Sequence, residues 1–142
     1  MRNDDIGTAQ EYGRGLTFAV ISVALVSVAQ LALKFGVAQA PAALHDWRQW
    51  NLLLLLEVLS EPTLLLPIAG GMACYGASMF CWLAALARLP LNLAYPLLSL
   101  SYPLVYLGAA WLPFFNETMN TQRLAGIALI MLGVALLMGR RD

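Results

Sequence analysis

Polar and aromatic side chains recur at helical spacing inside otherwise apolar stretches of this 142-residue chain. Between Leu16 and Val37, residues Ser27, Gln30 and Lys34 fall at i, i+3 and i+7 and share one helix face. Gly71, Tyr75, Ser78 and Trp82 follow i, i+4, i+7 and i+11. Tyr95, Ser99, Tyr102 and Tyr106 repeat that spacing, within about 40° of one another at 100° per residue. Polar groups are costly in hydrocarbon and therefore face a bundle interior or a cavity. Three converging stripes would line an amphipathic groove that offers hydrogen bonds and aromatic faces to a ligand. Each stripe also has a plainer explanation. Tyr and Trp near span ends sit at head-group level, a mid-span Ser bonds back onto its own helix, and Lys34 snorkels to the interface.

Other chemistry is missing. No Asp or Glu falls within the four apolar runs delimited below; Glu61 and Glu117 lie just outside them. A proton-coupled exporter needs a titratable carboxylate in the membrane. There is no Gly-rich nucleotide loop and no metal-ligand cluster, and the single histidine, His45, falls in a loop. Cys74 and Cys81 lie inside an apolar run, against a disulfide framework or a zinc site. No metal or other cofactor is expected, and an enzyme acting on lipids has little to stand on.

The elements that must carry these stripes follow from composition. Hydrophobic residues make up 61% of the chain and charged ones 11%, with mean hydropathy +0.72. A soluble domain carries roughly a quarter charged residues, so this chain has too few to coat a water-facing surface. Eight basic residues balance eight acidic ones, which leaves no nucleic-acid footprint. Crossing ~30 Å of hydrocarbon takes about 20 apolar residues in a helix. Runs of that kind extend over Leu16–Val37, Leu64–Ala87 and Leu89–Phe115, with a shorter one over Leu124–Met138. The expected fold is an all-α membrane protein of four transmembrane helices, at about 16–38, 63–87, 91–114 and 121–139. Residues 1–15 read as a polar tail. Ala38-Gln39-Ala40 resembles a signal-peptide cleavage site, but the run is long and Lys34 and Pro41 flank the site, so the first run is expected to stay a helix.

The stretch 45–61 is apolar only from Leu52 to Leu56, with Trp47, Arg48, Trp50, Glu57 and Glu61 close by. It reads as an interfacial helix leading into Pro62, or as an extension of the second span. Pro96 and Pro103 predict a kink in the third span, either a static bend or a hinge. Gly126 and Gly133, seven apart in the fourth, predict close helix packing within the chain or between subunits. Four thin helices enclose little by themselves, so a dimer is expected. Basic residues at Arg2, Arg14, Arg88, Arg140 and Arg141, against Lys34, Arg48 and Arg123, place both termini on the cytoplasmic side.

Ala29-Gln30-Leu31-x-x-Lys34, Arg88-Leu89-Pro90-Leu91-Asn92-x-Ala94-Tyr95-Pro96, Phe115-x-Glu117 and Gly126-x6-Gly133 resemble the small multidrug resistance group of the drug/metabolite transporter superfamily. Ser78-Met79-Phe80-Cys81-Trp82, followed by Leu97-Leu98-Ser99-Leu100-Ser101-Tyr102, is similar to a narrower group. That group comprises the F-type small subunits of the flippase for 4-amino-4-deoxy-L-arabinose-phosphoundecaprenol. The resemblance spans residues 16–139, and the polar N-terminal tail extends beyond it. Multidrug members carry a glutamate eight residues before the position of Lys34; Val26 stands there instead, which disfavours proton-coupled cation export.

The resemblance implies a small-multidrug-resistance-like bundle working as a heterodimer with a second four-helix subunit in the bacterial inner membrane. It implies movement of the lipid-linked amino sugar from the cytoplasmic to the periplasmic leaflet, for lipid A modification. For such a substrate, Lys34 would attract the phosphate, while Gln30, Ser78, Tyr95, Ser99 and Tyr102 line the sugar site. Tyr75 and Trp82 would face the ammonium. Gly126 and Gly133 would form the dimer contact. A multidrug exporter and a non-transporting structural subunit are the competing functions.

Overall fold

With no proline between Asn3 and Ala38, the chain winds one uninterrupted 36-residue helix, α1 (Asn3–Ala38), in the computed structural model. The structure describes residues 3–41, 48, 50–113 and 120–139. After α1 come α2 (Leu52–Ser60), α3 (Pro62–Leu86), α4 (Leu91–Ser99), α5 (Ser101–Trp111) and α6 (Thr121–Gly139). No strand occurs among the described residues. At 1.5 Å per residue α1 is about 54 Å long, more than a bilayer core requires. Its start differs from the expected polar tail over residues 1–15. Helical hydrogen bonds are local to the backbone, so a stretch too polar to span can still continue the helix beyond the apolar run.

Three helical stretches are long and apolar enough to cross a membrane: Gln10–Ala38, Pro62–Leu86 and Leu91–Trp111. Thr121–Leu137 is apolar but shorter. Between the first two lies α2, nine residues long, none of them buried. Asn51 caps it, its side-chain oxygen accepting the Leu54 N–H at 2.7 Å. Glu61 then turns extended (φ −86°, ψ 102°), and Pro62 opens α3 at the helix position where its missing N–H costs nothing. Among the described residues of the expected segment 45–61, the α-helix begins at Leu52, and a break separates it from α3. His45 and Trp47 lie outside the described residues, as do Phe115 and Glu117.

The third apolar stretch is divided. Leu100 separates α4 from α5, its N–H turning back to the Leu97 carbonyl at 3.2 Å. Pro103 has no N–H to give Ser99, so an unbroken helix would lose a bond there. The break puts Pro103 in the first turn of α5, where that donor is not needed. Pro103 thus coincides with a division of the helix where a kink was predicted, while Pro96 lies inside α4.

Helices α1 and α3 form the central antiparallel pair. A side chain on Gly36 would meet Ile68 and the Leu64 carbonyl, and one on Gly71 would meet Leu33 and the Ala29 carbonyl, at 3.1 Å or less. Small residues let the two backbones approach, and such packing drives helix association in lipid. Ala19, Ala85, Leu89, Leu93, Ala94 and Leu97 form a buried cluster where α1, α3 and α4 meet. Helix α5 packs on α1, and α6 packs on α4. Among the described residues, nothing lies within 4 Å of a Cβ added at Gly126 or Gly133. The intrachain version of their expected packing is therefore not what the fold shows.

Candidate functional site: a polar and aromatic groove

Four helices surround one groove of about 340 Å³. Helix α1 contributes Ser22, Val26 and Gln30, spaced one turn apart along one ridge. Helix α3 contributes Tyr75, Ser78, Met79 and Trp82. From α4 come Tyr95, Leu98 and Ser99, and from α5 come Ser101 and Tyr102. Seven residues singled out by spacing are thereby brought together: Gln30, Tyr75, Ser78, Trp82, Tyr95, Ser99 and Tyr102.

Lys34 does not line the groove. It lies half-buried one turn further along α1 and is engaged by the protein. On the same α1 face, the plainer explanation holds for Ser27. Ser27 is buried and its hydroxyl donates to the Val23 carbonyl at 2.7 Å, so it serves its own helix. Ser22 faces the groove instead, four and eight residues before Val26 and Gln30. Tyr106 also leaves its stripe; its hydroxyl accepts the Asn120 N–H at 3.1 Å. Gly71 is buried against α1. Ser22, Val26, Met79, Leu98 and Ser101 escaped the sequence reading, because three are apolar and two are serines outside the stripes. The i, i+4, i+8 step backwards from Gln30 was the available signal for Ser22 and Val26.

The floor is fixed by two serines. Ser22 Oγ donates to the Ser78 carbonyl at 2.9 Å, Ser78 Oγ donates to the Ser22 carbonyl at 3.1 Å, and the two oxygens are 3.0 Å apart. Both residues are buried. Ser22→Ala or Ser78→Ala is expected to weaken the α1–α3 pair by about 0.6–1.7 kcal/mol, the range of interhelical hydrogen bonds in membranes. Unfolding in graded dodecyl sulfate measures it.

One wall is aromatic. The Trp82 and Tyr95 rings meet edge-to-face with centroids 6.0 Å apart, linking α3 to α4. Ser99 Oγ donates to the Pro96 carbonyl at 2.7 Å beside the helix break, leaving that oxygen only acceptor capacity towards a ligand. Among the described residues, the hydroxyls of Tyr75, Tyr95 and Tyr102 and the Gln30 amide make no protein hydrogen bond. The lining carries no formal charge. Val26, standing where multidrug transporters carry glutamate, is part of that lining. Such a surface can hold a polar or cationic group by hydroxyl, amide and aromatic contacts. Among the described residues, no cluster could hold a metal ion.

Similar proteins give this geometry a context. A protein of Shewanella sediminis is 42% identical over 133 residues, covering 91% of this chain and 90% of its own length. One from Erwinia tasmaniensis is 50% identical over 124 residues (87% and 93%), and one from Pseudomonas fluorescens 45% identical over 122 (85% and 84%). Each bears the name probable 4-amino-4-deoxy-L-arabinose-phosphoundecaprenol flippase subunit ArnF. No protein-family model and no solved structure matches the chain.

Proposed function

Since the chain belongs to the ArnF family of probable 4-amino-4-deoxy-L-arabinose-phosphoundecaprenol flippase subunits, we propose that it is one half of a flippase for this lipid-linked amino sugar. Its role is transport and not catalysis. In this reading the chain sits in the bacterial inner membrane with cytoplasmic termini and moves the lipid from the cytoplasmic to the periplasmic leaflet, where the sugar goes on to lipid A. Thr121–Gly139 completes a four-span bundle. Gly126 and Gly133 on that helix meet the second small subunit.

The near-complete coverage of flippase-named relatives at 42–50% identity carries this reading. The groove supports it. A sugar head group finds the Gln30 amide and the Tyr95 and Tyr102 hydroxyls, with Ser78 and Ser99 oxygens beside them. Its ammonium finds the Tyr75 and Trp82 faces. Tyr75, Tyr95 and Tyr102 of the lining are exposed, so the groove is not enclosed. In this reading the polyprenyl tail stays in lipid while the head group crosses. Lys34, outside the groove, has no head-group contact in this reading. Val26 within the groove disfavours exchange of substrate for protons, since that needs a carboxylate there.

The test is reconstitution of the chain alone and with its partner subunit in liposomes, following the leaflet accessibility of labelled aminoarabinose lipid. Translocation by the pair is the expected result. Translocation by the partner alone at the same rate would reduce this chain to a structural subunit. Efflux of toxic cations without lipid movement would make it an exporter.

A further inference from the structure

Outside the groove, a second cavity of about 290 Å³ is lined by Arg14, Thr17 and Phe18 of α1 and by Arg88 in the turn between α3 and α4. Both arginines flank apolar spans: Leu16 begins the first apolar run and α3 ends at Leu86. They therefore sit at the level of lipid head groups. Arg88 is held in place from two sides. Its Nη1 donates to the Ala84 carbonyl at 2.8 Å, and its guanidinium carbon stands 5.4 Å from the Phe18 ring centroid. That leaves most of its five N–H donors uncommitted. Gly15 keeps α1 against this turn, since a side chain there would meet Leu89 Cγ at 2.8 Å and Arg88 Cβ at 3.0 Å.

Neither arginine has a carboxylate partner among the described residues, and no carboxylate lines the cavity. Two guanidinium groups around one space repel each other unless an anion joins them. Their planar donor forks match phosphate oxygens in pairs. The cavity also adjoins the groove. Phe18 precedes the groove residue Ser22 by one helical turn, about 6 Å of rise, and Phe18 and Trp82 pack on the same buried cluster. A rise of that order is comparable to the length of one pyranose ring.

We propose that Arg14 and Arg88 form a phosphate-ester clamp at the mouth of the groove, which takes the phosphodiester of the lipid-linked sugar while the sugar enters beside Ser22 and Trp82. This assignment rests on the flippase reading for its ligand. Phe18 is a positioning residue that sets the plane of the Arg88 guanidinium. The same chemistry would suit the phosphate of a bulk phospholipid, so the test separates the two.

The full chain in phosphatidylcholine nanodiscs is titrated with undecaprenyl phosphate, and bound lipid is counted by native mass spectrometry. Arg14→Gln/Arg88→Gln should weaken retention by roughly 10- to 100-fold, the range for losing charge-assisted hydrogen bonds. Phe18→Leu, which keeps both charges, should weaken it by about two- to fivefold. Arg14→Gln alone, an exposed change on α1, keeps the experiment decisive if the double variant does not fold. It should lower retention by about threefold or more. Unchanged retention in the Gln variants overturns the clamp. Displacement of undecaprenyl phosphate by an equal amount of phosphatidylglycerol overturns its assignment to substrate. Arginine-dependent retention without translocation by the reconstituted pair would leave the clamp standing and bring down the flippase reading instead.

Discussion

Trp82→Leu is expected to lower head-group transport by about thirtyfold, while Trp82→Phe stays within a few-fold of the natural protein. The indole lines the groove, and its edge-to-face contact with Tyr95 at 6.0 Å holds it there. An ammonium over an aromatic face is worth about 2 kcal/mol once desolvated, which is about thirtyfold in binding. Leucine keeps much of the apolar volume and loses the π-face; phenylalanine keeps both the face and the edge contact. The readout is the initial rate of leaflet exchange of labelled lipid by the reconstituted pair at equal protein. Trp111→Leu is the control, since Trp111 is 85% exposed at the far end of α5. A leucine variant that matched the natural rate would remove Trp82 from recognition.

Two glycine substitutions should separate folding from assembly. Gly71→Leu places its Cβ 2.9 Å from Leu33 Cγ and 3.0 Å from the Ala29 carbonyl oxygen. The leucine end can rotate away, but the carbonyl belongs to the α1 backbone and moves only if the helices part. Overpacking of this kind costs about 1–3 kcal/mol, occasionally more, a large share of the stability of about 5–15 kcal/mol typical of proteins. Graded dodecyl sulfate unfolding should show a transition at clearly lower detergent. Gly126→Leu adds the same side chain where nothing among the described residues lies within 4 Å, so the single chain should unfold as before. Co-purification with the partner subunit should fall instead, because the α6 face would no longer allow close approach. Loss of chain stability in Gly126→Leu, with pairing intact, would refute that division.

Much of the architecture was legible because hydropathy and length are local properties. The apolar runs became α1, α3, α4–α5 and α6, and Pro62 marked the start of α3. The stripes on the second and third runs were legible for the same reason, since spacing alone sets which side chains share a face. What escaped were features settled by a hydrogen-bond partner. Ser27 carried two readings by spacing, and its bond to the Val23 carbonyl decided for its own helix. Tyr106 left its stripe because its hydroxyl met the Asn120 N–H, fourteen residues on. Lys34 shared a face with Gln30 by spacing, but it does not line the groove. Arg14 and Arg88, seventy-four positions apart, share a cavity that no local spacing would reveal.

The break at Leu100 also shares one groove wall between two helices. Tyr95 stands on α4, which packs against α6 and touches Trp82. Tyr102 stands on α5, which packs on α1, with Leu31 filling the space above Gly108. Helix α4 lies between α6 and the central pair, whose buried cluster it joins through Leu93, Ala94 and Leu97, so Tyr95 is tied to both. Two rings of one groove wall thus hang on different neighbours, Tyr95 on α6 as well as the central pair and Tyr102 on α1.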